Sequence, residues 1–226
     1  MVTATDKFLG EGLYTTAEAA TYARIPTATM SRWLYGNRRG DRVLAPRFAD
    51  DREKRVTFLD FVQALAVRNI RVQYKIPLGK IRKAVEQATE RYDLPYPFAR
   101  KHTTYLFQGE VFIVPPGERD LVQITGRLAH QRAWKKIIEL YMRDLTFDQS
   151  GVASLYRAYV WQTREVVMDP KRRFGEPVVK SCGYTAQTLW EACRAEGSVK
   201  AAAQAYGITT DEVEVGFRYF DSLLHG

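Results

Sequence analysis

A chain of 226 residues suffices for two small domains, and its 46% hydrophobic share is that of a folded globular protein, which excludes general disorder. The formal net charge of +8, with a pI near 9.5, points to a polyanionic or acidic partner. Cys182 and Cys193 lack a CxxC pattern or a histidine cluster, which excludes a disulfide framework and gives no zinc site, so both read as buried thiols. No apolar run is long enough to span a bilayer and the first residues, MVTATDKF, lack a secretory pattern, so a cytoplasmic protein without membrane contact is expected.

Residues 14–39, YTTAEAATYARIPTATMSRWLYGNRR, carry the densest signal. Thr15 with Glu18 makes a capping box that starts a helix through Ala19, Ala20 and Ala23, and Pro26 ends it. Thr27 is expected to cap a second helix whose apolar positions Met30, Trp33 and Leu34 share a face, with Ala28, Ser31, Arg32 and Tyr35 outward. Gly36 suits the residue that closes it. Two short helices with alanines at the crossing and a basic outer face read as a helix-turn-helix for double-stranded DNA. The candidate DNA-binding residues are Thr27, Ala28, Ser31, Arg32, Tyr35, Arg38, Arg39 and Arg42.

The Arg-rich stretch 37–55, with extended pieces at Val43 and Leu44 and at 55–57, suits either a small wing whose Arg42, Arg47, Arg52, Lys54 and Arg55 lie against phosphates or, since Asp50, Asp51 and Glu53 dilute the charge, a mobile solvated loop. Thr57 with Asp60 starts a helix striped by Phe58, Phe61, Val62, Leu65 and Ala66. After Pro77 another amphipathic helix carries Leu78, Ile81, Val85, Ala88 and Tyr92. Prolines and glycines then punctuate extended runs at 104–107, 111–114 and 121–125, a small antiparallel unit. A helix is expected over 127–145, from the spacing of Leu128, Trp134, Ile137, Tyr141 and Leu145, and 147–154 reads as a linker. The expected division is thus 1–148 and 155–226.

In the second part, 155–167 reads as extended, followed by a turn at Asp169 and Pro170 and a basic knot of Lys171, Arg172 and Arg173. Helices then follow. Thr185 precedes the stripe Leu189, Trp190 and Cys193; Gly197 and Ser198 break and recap the chain; Gly207 stops a short Ala-rich helix; Thr209 and Glu212 box the last one. The fold class is mainly α with a small β component, ending in a second helix-turn-helix-like shape.

The stretch 167–224 resembles a small bacterial helical domain found in antitoxins encoded beside PIN-type toxins, through Asp169-Pro170, Phe174-Gly175-x-Pro177, the Gly197-Ser198 break, Tyr206-Gly207-Ile208 and the final aromatic helix. The front of the chain is similar to the MerR-like helix-turn-helix that precedes that domain in VapB-type antitoxins. The resemblance implies an antitoxin that neutralises a PIN-domain ribonuclease toxin and represses its own promoter. A homodimer is expected separately, because bacterial helix-turn-helix proteins reach two half-sites of an operator as symmetric dimers. Lys171, Arg172 and Arg173 are candidate toxin-binding cations, since they occupy a turn from which long side chains can project. Unlike the commonest VapB pattern, a small head with a flexible tail, this chain ends in a folded helix.

An enzyme reading has little behind it. His102, His130 and His225 have no spaced carboxylate or thiol companions, and no phosphate loop or nucleophile motif appears, so no catalytic residue, metal or cofactor is expected. The rival is a stand-alone MerR-like transcriptional regulator with a small-effector pocket in the middle section.

Overall fold

The computed structural model describes residues 11–37, 42–50, 52–101, 104–107, 110–113, 122–123 and 142–225. Thr15 and Glu18 make the expected reciprocal cap: the Glu18 carboxylate accepts from the Thr15 N–H at 2.7 Å and the Thr15 hydroxyl from the Glu18 N–H at 3.2 Å. Helix α1 (Thr16–Tyr22) follows. A turn closed by Ile25 N–H to Ala20 C=O leads into α2 (Thr27–Tyr35), and Ala19, Ala20 and Ala23 are buried where the two helices pack. Thr27 is not the cap of α2. The extended Pro26 holds that position, its carbonyl already accepting from the Thr29 and Met30 N–H groups, so Thr27 is helical and no side chain caps the helix. Met30, Trp33 and Leu34 are buried as their spacing predicts.

Gly36 ends α2 at φ 74, ψ −167, a region essentially restricted to glycine. The expected wing is not a hairpin among the described residues. Val43 and Leu44 bury their side chains and donate both N–H groups to the Trp33 carbonyl, at 2.8 and 3.0 Å, capping the last turn of α2. The strand expected to pair with them, β2 (Val56–Thr57), joins β1 (Leu13–Tyr14) instead.

Thr57 and Asp60 form a second capping box at the head of α3 (Phe58–Tyr74), and α4 (Leu78–Tyr92) follows Pro77. Phe58, Phe61, Ile70, Ile76 and Ile81 are fully buried in this core, and the buried Gln63 side chain accepts from the Phe98 N–H at 2.8 Å. Strands β3 (Thr104–Phe107), β4 (Glu110–Ile113) and β5 (Val122–Gln123) form an antiparallel sheet in chain order. Most of the helix expected over 127–145 lies outside the described residues. Its last residue, Leu145, begins strand β6 (Leu145–Phe147).

Nor is 147–154 a linker. It turns the chain from β6 into β7 (Ala153–Trp161), with the Asp148 carboxylate accepting from the Ser150 and Val152 N–H groups and Gly151 at φ 77. The extended segment expected over 155–167 is two strands, because the chain reverses at Gln162 and Thr163 into β8 (Arg164–Met168). With β9 (Pro177–Val179) they complete a sheet ordered β6-β7-β8-β9.

One compact unit comprises Tyr14–Ser154 and a second is built on Leu155–Gly226, the division falling inside β7. In the second unit, α5 (Ala186–Glu196), α6 (Val199–Tyr206) and α7 (Thr210–His225) start at Thr185, Ser198 and the Thr209–Glu212 box. Val166, Val179, Leu189, Ala202, Val213 and Tyr219 lie at its centre. The chain is mainly helical with small antiparallel sheets.

Candidate functional site

Helix α2 presents Thr27, Ala28 and Arg32 exposed and Ser31 partly so, on the face opposite Met30, Trp33 and Leu34. Positions i, i+1, i+4 and i+5 of one helix make a single strip. Arg24 lies exposed in the preceding turn at φ 52, a cation that helical periodicity could not flag because it stands between the helices. Arg38 and Arg39 lie outside the described residues. Arg42 is exposed, and its carbonyl accepts from the Arg82 guanidinium at 2.9 Å.

Tyr35 departs from its expected outward role. It is half buried, its hydroxyl donates to the Lys54 carbonyl at 2.8 Å, and the Lys54 ammonium stands 5.2 Å from its ring centroid. Burial pushes the phenol's pKa up, against a lowering hydrogen bond from Thr16. The Thr16 hydroxyl also donates to the Lys54 carbonyl, at 3.4 Å, so this one oxygen ties the start of α1 and the end of α2 to the loop before α3. Lys54, at φ 47, is thereby held beside α2 with its side chain exposed.

The same loop has a second anchor. Asp60 is 2% exposed, and its carboxylate accepts from the Thr57 N–H at 3.0 Å, from the Thr57 hydroxyl at 2.7 Å and from the Arg47 backbone. Burial outweighs these bonds and raises its pKa to about 6. Arg47 and Arg52 are exposed on the loop, whereas Arg55 is bound to Glu53. A cavity of about 290 Å³ opens between Arg42–Ala45 of this loop and α4, lined on the helix by Arg82, Val85, Glu86 and Glu90.

In the second unit Lys171, Arg172 and Arg173 are all exposed in the turn after β8. The exposed Arg172 guanidinium lies 3.9 Å from the partly covered Asp169 carboxylate, a loose pair of little energetic weight. Cys182 is half buried and Cys193 buried, and burial raises both thiol pKa values, away from the reactive thiolate. Among the described residues no three of His, Cys, Asp and Glu gather as a metal-holding group, and no helix is long and apolar enough to cross a membrane.

No family model matches the chain. It is 26% identical, over 89% of its length and 90% of the relative's, to a Mycobacterium tuberculosis protein named "Putative antitoxin VapB45". It is 24% identical, over 93% of its length and 91% of the relative's, to the uncharacterised protein Rv2308 of the same organism. The crystal structure of Rv2018, also from M. tuberculosis, superposes with a TM-score of 0.61 at 22% identity, covering 90% of this chain and 96% of that one. The chain is thus similar along nearly its whole length to a protein bearing an antitoxin name, and it shares the fold of Rv2018.

Proposed function

We propose that this chain is the antitoxin of a type II toxin–antitoxin pair, that it neutralises a PIN-domain ribonuclease, and that it represses its own promoter. The observation that carries the reading is the similarity to an antitoxin-named relative over 89% of this chain and 90% of that protein. The DNA arm rests on chemistry. In this reading α1 and α2 are a MerR-like helix-turn-helix, and the strip Thr27, Ala28, Ser31 and Arg32 enters the major groove, where an arginine can pair bidentately with guanine. Exposed Arg24 in the preceding turn and Lys54 beside Tyr35 take the role of phosphate contacts, and the uncapped start of α2 offers N–H groups to a phosphate. A homodimer supplies the two half-sites such a reader needs.

The experiment has two readouts. Co-expression with the toxin encoded beside this chain's gene should restore growth, and the purified chain should retard its own upstream DNA at fixed salt. Failure of the first sinks the antitoxin reading; failure of the second removes autorepression alone. A second reading, a stand-alone regulator answering a small effector, is favoured by the cavity between the 42–45 loop and α4, which adjoins the DNA-reading region. It gains only if the chain binds its promoter and rescues nothing.

A further inference from the structure

Phe174 combines two costs that a folded domain ordinarily avoids. Its backbone is left-handed at φ 53, next to Arg173 at φ 46 and Gly175 at φ 89, a conformation that side chains rarely adopt. Its ring, far from repaying that strain by filling the core, is 51% exposed. The conformation is nonetheless fixed. The Asp169 carboxylate accepts from the Lys171 N–H at 2.9 Å, the Asp169 carbonyl from Arg172 at 2.8 Å, the Arg172 carbonyl from Gly175 at 2.8 Å and the Arg173 carbonyl from Glu176 at 3.0 Å. The buried Met168 before the loop and the buried β9 after it hold both ends.

We infer that loop 169–176 is a preformed docking knob for an acidic protein surface, with Phe174 as its apolar anchor and Lys171, Arg172 and Arg173 as its cationic surround. This rests on the antitoxin reading and assigns the loop to the toxin. An aromatic side chain carried half exposed on a hydrogen-bonded backbone gives binding area at little cost in backbone ordering, and cations around such an anchor select a partner with carboxylates beside an apolar pocket. Charge decides against nucleic acid as the occupant. Asp169 and the exposed Glu176 bracket the cations, which leaves a short cationic run that meets a local cluster of carboxylates and repels a continuous run of phosphates.

The test uses the full chain and the purified toxin encoded beside it, by titration calorimetry with thermal denaturation alongside. Phe174→Gly fits the left-handed backbone, so its Tm should be unchanged or higher, while toxin affinity falls about tenfold or more. Replacing Lys171, Arg172 and Arg173 together by Gln should lower affinity and flatten its salt dependence. A Phe174→Gly chain that is folded and binds toxin as tightly as the wild type overturns the inference and leaves the antitoxin reading intact. A wild-type chain that binds no toxin overturns both. Light scattering and gel shift on the same variant cover the other occupants. Loss of self-association or of DNA binding with toxin affinity retained means that the knob serves a second copy or nucleic acid, and the assignment falls.

Discussion

Arg32 and Tyr35 stand three residues apart on α2, and the same periodicity marks both as outward, yet they do different work. Arg32 is exposed and available to a base edge, so Arg32→Ala should weaken promoter binding by about 1–3 kcal/mol with the Tm unchanged, read by gel-shift titration at fixed salt. Unchanged affinity in the folded variant would take Arg32 out of the interface. Tyr35 is instead a strut to Lys54, nineteen positions along the chain, and no local pattern could announce that partner. Asp60 supplies a second residue-scale prediction. Its carboxyl titrates near pH 6 in the fold against an ordinary 3.8, so the folded chain holds that proton more tightly than the unfolded chain does. Its contribution to stability is therefore most favourable at low pH, declines as pH rises through roughly 4 to 6, and above that leaves a penalty on the order of 3 kcal/mol. Asp60→Asn keeps an acceptor for Thr57 and removes the titration. Chemical denaturation should show the variant gaining on the wild type between pH 4.5 and 7; a constant difference would mean that burial does not govern this group.

Among the elements, legibility followed locality. The Thr15–Glu18, Thr57–Asp60 and Thr209–Glu212 boxes are each written within a few residues and appear as read, together with the apolar stripes that follow them. Strands depend on partners elsewhere. Val56 and Thr57 read as extended and are, but they pair with Leu13 and Tyr14 rather than across the expected wing. Strands β6 and β9 are too short for alternation to register, and Gln162-Thr163 lacks the Asn-Gly signature of a tight turn. Nor does the sequence mark Gly216, where a Cβ would lie 2.8 Å from Leu189 Cδ1 and 3.2 Å from Val179 Cγ2. The missing side chain lets α7 approach α5 and β9 closely. Gly216→Val should destabilise the rear unit by about 1–3 kcal/mol despite the better helix propensity of valine, measured by chemical denaturation. A variant as stable as the wild type would mean that Leu189 repacks without cost.

For the whole molecule, the structure bears on how the two proposed functions can be tested separately. A cut between Asp148 and Gly151 would open the β6–β7 turn, and β7 itself runs across the boundary at Ser154 and Leu155. Either fragment could then fail through misfolding rather than through loss of a contact. Point substitutions in the intact chain avoid this. If promoter reading belongs to the front strip and toxin binding to the rear unit, Arg32→Ala should lose promoter retardation yet still restore growth when co-expressed with the toxin, and Phe174→Gly should do the reverse. Dimerisation could couple the two arms, since both the operator and the toxin would engage a symmetric pair, and light scattering of each variant across micromolar concentrations separates that route. Loss of rescue by Arg32→Ala, in a variant with wild-type Tm and oligomeric state, would mean that the front strip itself contacts the toxin and that the two activities share one surface.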